Sequence, residues 1–85
     1  MTAERDLNAK YTRLLTELKS GDVSHRQSAV LLVRAQREWV KFRKLDCDAI
    51  YALRPGAGLQ AWYRSHCRRK HAEQRTAQLE FWAAD

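Results

Sequence analysis

The sequence predicts an all-α fold: a small three-helix bundle whose long central helix is linked to the C-terminal helix. Three observations carry this. Apolar residues recur at helical spacing along most of the chain. Glycine and proline occur only at Gly21 and within Pro55-Gly56-Ala57-Gly58, which leaves three long uninterrupted stretches. The two cysteines, Cys47 and Cys67, fall in the second and third of these stretches.

The first helix is expected over residues 3–20. Leu7, Tyr11, Leu14, Leu15 and Leu18 form one apolar stripe, and Arg5, Lys10, Arg13 and Glu17 lie largely outside it. Gly21-Asp22 ends the helix, with Gly21 suited to a left-handed cap. Ser24 then opens the second helix, because Ser24-x-x-Gln27 has capping-box spacing.

No helix breaker follows before Pro55, so the second helix runs for about 30 residues, which is longer than usual. At 100° per residue its core-facing arc collects Leu32, Ala35, Trp39, Phe42, Ile50 and Leu53. The same arc holds Gln36, Arg43, Asp46 and Cys47. Polar groups on a buried face are costly unless paired. Arg43 and Asp46 stand three apart and can pair, and Arg75 can approach from the third helix. Gln36, Arg43, Asp46 and Arg75 are therefore expected to form a polar network that sets helix register, in preference to a ligand site.

Pro55-Gly56-Ala57-Gly58 should reverse the chain. The third helix is expected over residues 59–83. Leu59, Trp62, Tyr63 and His66 share one face, while Arg75, Leu79 and Trp82 share another. That rotation predicts a kink or offset around residues 66–71.

The whole chain of 85 residues is expected to be one domain. A chain this short builds a modest core and often needs a staple. No run approaches the roughly 18 apolar residues of a membrane span. The start, Met1 to Asp6, has no apolar signal core, so either the protein is cytosolic or a leader has been removed.

Cys47 precedes Arg54 by seven residues, and Cys67 follows Leu59 by eight. In an antiparallel hairpin both then stand about 10–12 Å from the turn. A disulfide fits there without distortion, and its ring of about 20 residues would contribute on the order of 3 kcal/mol. Two alternatives remain open. Free thiols are one. The other is a metal held by Cys67 and His71 at i, i+4, with His66 and Cys47. The metal reading lacks a close cysteine pair, and His66 and Cys67 diverge by about 100°. No metal and no cofactor is assigned.

Several of these residues carry a resemblance. Leu7-Asn8-x-x-Tyr11, Ala35-Gln36-Arg37-x-Trp39-x-x-Phe42-Arg43-x-x-x-Cys47, a glycine-containing turn, and then Cys67 with Arg75 and Leu79 behind it resemble the LprI-type lysozyme inhibitor N-terminal domain. The resemblance covers roughly residues 4–82. It implies a small, helical, exported bacterial domain, periplasmic or secreted, with a Cys47–Cys67 disulfide and lysozyme as a partner. The chain departs from the family pattern in having no upstream cysteine pair, in His71-Ala72 where Leu-Thr is usual, and in Ala57 between Gly56 and Gly58.

Charge adds a second functional reading. Net charge is +6, from sixteen Lys and Arg against ten Asp and Glu. That favours an acidic partner, though it also serves solubility. Arg64, Arg68, Arg69 and Lys70 cluster on the third helix beside Trp62 and Tyr63, a combination that can bind an anionic polymer or surface, nucleic acid included. Four basic residues on a helix also make an ordinary solvated face. Arg54, beside the turn, is a candidate for insertion between the active-site carboxylates of a lysozyme. Animal c-type lysozymes, the targets that the resemblance implies, are themselves basic, which slows encounter at low salt.

No phosphate-binding loop, nucleophile elbow or zinc-protease motif is present. A Cys67–His71 catalytic pair would lose its thiol to the disulfide. The chain is read as a binding module and not an enzyme.

Overall fold

The computed structural model describes residues 2–53 and 58–82. It contains three helices, α1 (Ala3–Lys19), α2 (Val23–Ala52) and α3 (Gln60–Phe81), and no strand among the described residues. The all-α prediction holds.

Each helix starts for a local reason. Thr2 caps α1, its hydroxyl accepting from the Arg5 N–H at 3.2 Å. Glu4 and Asp6 in the first turn suit the positive end of the helix dipole. Asp22, not Ser24, caps α2, accepting from the His25 N–H at 2.9 Å. The Asp22 carboxylate takes that position and places Ser24 inside the first turn. α3 begins after Leu59 without a side-chain cap.

Gly21 is not left-handed. Its role is spatial, because a Cβ there would lie 2.6 Å from the His25 Cβ. Among the described residues, positive φ occurs at Gly58 alone, at 71°. The rest of the expected turn, residues 54–57, and position 83 lie outside the described residues.

The direction of each helix follows from its contacts. Asp48 meets Arg64, Cys47 meets Cys67, Asp46 meets His71 and Gln36 meets Arg75. Rising numbers in α3 match falling numbers in α2, so the two are antiparallel. Glu4 meets Arg43, Lys10 meets Glu80, and Leu14 and Leu18 share a groove with Trp82 and Ser28. Hence α1 lies along the first part of α2 and the last part of α3.

That arrangement locates the core. Leu7, Leu14, Leu18, Ala29, Leu32, Ala72 and Leu79 are buried together, with Tyr11, Leu15 and Trp39 packed against them. It also removes the need for a kink. α3 is helical throughout from Gln60 to Phe81. Its early turns face α2 alone, and its later turns face α1 as well. Leu59 and Trp62 of the first face stay exposed, while Leu79 of the second is buried in the core, so the two faces do not both need cover.

The core face of α2 is rotated from the expected arc. Leu32, Arg43 and Cys47 are buried, whereas Ala35 is exposed and Phe42 is 57% exposed. Leu53 is exposed too. With α1 and α3 both on one side of α2, the buried face centres between Leu32 and Cys47. The molecule is thin, 53 × 24 × 17 Å. Its radius of gyration of 15.4 Å exceeds the roughly 12 Å expected of a compact chain this long.

Candidate functional site

The Cys47–Cys67 disulfide joins α2 to α3 with a Cα–Cα distance of 5.7 Å. It lies outside the core cluster, at the level where α1 begins, and holds the two helices in register beyond the core. A groove of about 320 Å³ opens beside it. α2 contributes Val40, Arg43, Lys44, Cys47 and Asp48, which helical spacing puts on one flank. α3 contributes Arg64 and Arg68, one turn apart.

Charge dominates this groove. Lys44 Nζ donates to Asp48 Oδ2 at 2.9 Å, and Arg64 Nη2 donates to Asp48 Oδ1 at 3.3 Å. The Lys44 hydrogen bond is the largest influence holding the Asp48 carboxyl below its ordinary value of 3.8. Arg64 also lies over the Tyr51 ring, 4.3 Å from its centroid. Arg68 has no ion-pair or hydrogen-bond partner among the described residues. With Arg43 turned away to Glu4, Lys44, Arg64 and Arg68 stand around the single carboxylate of Asp48, an excess of positive charge suited to an incoming carboxylate or phosphate.

The four polar residues singled out on the buried faces do not form one network. Arg43 turns to α1, where it pairs with Glu4, and its guanidinium sits 4.5 Å from the Trp39 ring centroid. Asp46 accepts from His71 Nε2 at 2.6 Å, and the Phe42 ring meets His71 edge-on at 5.5 Å. Arg75 Nε donates to Gln36 Oε1 at 2.9 Å, and burial pushes the Arg75 pKa down. The expected Arg43–Asp46 pair is replaced by Arg43–Glu4 and Asp46–His71, while Arg75 approaches α2 as expected and bonds Gln36. Glu4 and His71 are partners that spacing along α2 had no means of revealing.

The six described residues of the basic aromatic cluster point to different places. Arg64 and Arg68 border the groove. Tyr63 and Lys70 lie on the other side of the disulfide, near His66 and His71. The Trp62 ring stacks on His66 at 5.0 Å with an interplanar angle of 5°, and meets Tyr63 edge-on. Arg69 donates to His66 Nδ1 at 2.9 Å and lies 3.7 Å from Glu73. Arg54 lies outside the described residues.

The sulfurs of Cys47 and Cys67 and a ring nitrogen of His71 lie within 4.8 Å of one another. Both sulfurs are consumed by the disulfide, so neither is the thiolate a metal would need. His66 is not part of that group.

The family model of lysozyme inhibitor LprI matches residues 1–79. The chain belongs to the LprI lysozyme inhibitor family. The match to LprI spans α1, α2 and α3 as far as Leu79, the last core residue, and includes both cysteines and both members of the Arg43–Glu4 pair. No curated protein and no solved structure matches the chain. No helix among the described residues of this LprI member is long and apolar enough to cross a membrane.

Proposed function

We propose that this chain is an exported, non-enzymatic binding module that inhibits lysozyme, with the basic groove beside the disulfide as its contact surface. The carrying observation is the LprI match across all three helices. The groove supports it chemically. Lys44, Arg64 and Arg68 are fixed on rigid helices around one carboxylate, and a lysozyme works through a pair of carboxylates that cations can engage. The disulfide suits an oxidising compartment, periplasmic or extracellular.

The anionic-polymer reading has less support. A stacking platform needs open ring faces, and one face of the Trp62 ring is taken by His66. Arg69 is also engaged with Glu73 and His66 of this chain.

The test is inhibition of a c-type lysozyme by the purified protein at low and high salt, with Arg64→Ala and Arg68→Glu alongside. Inhibition that both substitutions weaken is the expected result. Absence of inhibition at either salt overturns the proposal.

A further inference from the structure

The outward face of α2 carries a pattern that the bundle uses only at Phe42, whose ring meets His71 edge-on. Leu31, Ala35, Glu38, Phe42, Leu45 and Ala49 follow one another at spacings of four, three, four, three and four. That is the a/d seam of a coiled coil, and five of its six residues are apolar. All six are exposed, Leu31 at 59% and Leu45 at 68%. The buried residues Leu32 and Cys47 belong to a different face of the same helix.

We propose that this seam pairs α2 with the α2 of a second copy of the chain, antiparallel, about a two-fold axis at the height of Val40. The order of side-chain sizes is the reason for choosing a second copy. Reversal about Val40 sets Leu31 against the second copy's Ala49, Ala35 against its Leu45, and Glu38 against its Phe42. Large meets small at the two outer layers, as interdigitating seams require. A parallel pairing in register would instead set Leu31 on Leu31 and Ala35 on Ala35.

Charge on the flank agrees with the same orientation. Arg34 has no ion-pair partner among the described residues. Under the reversal it stands within about 3 Å, along the axis, of the level of the second copy's Asp48. Glu38 and Lys41, now 3.2 Å apart within one chain, come level with their counterparts and can exchange partners. The thinness of the monomer, 17 Å in its shortest dimension, leaves this helix without cover on its outer side.

Each copy carries +6, so the pairing is opposed by long-range repulsion that salt screens. Dimerisation should therefore strengthen with salt, the opposite of a contact made by basic groups on an acidic partner.

Sedimentation equilibrium at low and high salt tests this, with Leu45→Glu and Ala35→Glu as variants. Both sites are exposed, and far-UV circular dichroism confirms that the variants stay folded. The expected result is a salt-strengthened dimer that either variant weakens by roughly tenfold or more. Single spin labels at Ser24 and at Lys41, with the native disulfide intact, then report orientation. Antiparallel pairing places Lys41 labels near each other and Ser24 labels roughly 48 Å apart along the axis. A chain that stays monomeric overturns the proposal, as does a dimer indifferent to Leu45→Glu or one with short distances at both labels. A monomer whose lysozyme inhibition is lost with Leu45→Glu would assign the seam to that enzyme and also overturn it.

Discussion

Arg43 of α2 pairs with Glu4 of α1 across 39 positions of sequence, under the cover of Trp39. The Arg43 side chain is 10% exposed and that of Glu4 43%. The pair joins the start of the chain to the middle of its longest helix.

Arg43→Ala and Glu4→Ala should each destabilise the fold by about 1–3 kcal/mol, the first through lost packing on Trp39 and the second by leaving a buried cation unpaired. The double variant should cost less than the sum, with coupling above roughly 0.5 kcal/mol. Chemical denaturation of the four proteins measures this. Simple additivity would mean the two side chains do not act together.

Replacing Cys47 and Cys67 with serine should lower stability by about 3 kcal/mol, given the ring of 20 residues. Hydrogen exchange should speed up most at the end of α2 and the start of α3, where α1 gives no support. Uniform acceleration through α1 would contradict the placement of the disulfide outside the core.

Asp48 sets an acid limit. Its folded-state pKa is depressed below 3.8, chiefly by Lys44. Its contribution to stability is therefore present above 3.8 and is lost as pH falls through the lower folded value. The melting temperature should decline below about pH 4, and Asp48→Asn should flatten part of that decline. Because Asp48 is solvated at the groove edge, the effect should also shrink in high salt.

The two described glycines should fail differently. In Gly21→Ala the new Cβ would lie 2.6 Å from the His25 Cβ, and moving the start of α2 to relieve it should cost about 1–3 kcal/mol. Gly58→Ala meets open space but keeps φ at 71°, so only conformational strain of about 1–2 kcal/mol applies. Enlarging to valine should therefore worsen position 21 by contact, and position 58 only through backbone strain. Thermal melts of the four variants separate the two causes.

Much of this protein was legible in local pattern. The stripe Leu7, Leu14, Leu18 identified α1, the lack of breakers before Pro55 identified α2, and equal distances from the turn matched Cys47 with Cys67. These depend on helical period and rise, which a sequence carries in its spacing. The family, too, was legible, because its motif consists of such spacings.

Tertiary structure decided the rest. Whether Phe42 or Arg43 faces inward depends on where α1 and α3 lie around α2, and one residue along a helix is a turn of 100°. The partner of Arg43 came from 39 residues away, and that of Asp46 from 25. α3 runs unbroken because the face of Leu59 and Trp62 is left exposed and only that of Leu79 is buried in the core. Spacing within a helix places a side chain on an arc, but only the packed neighbours determine whether that arc is core, groove or open face.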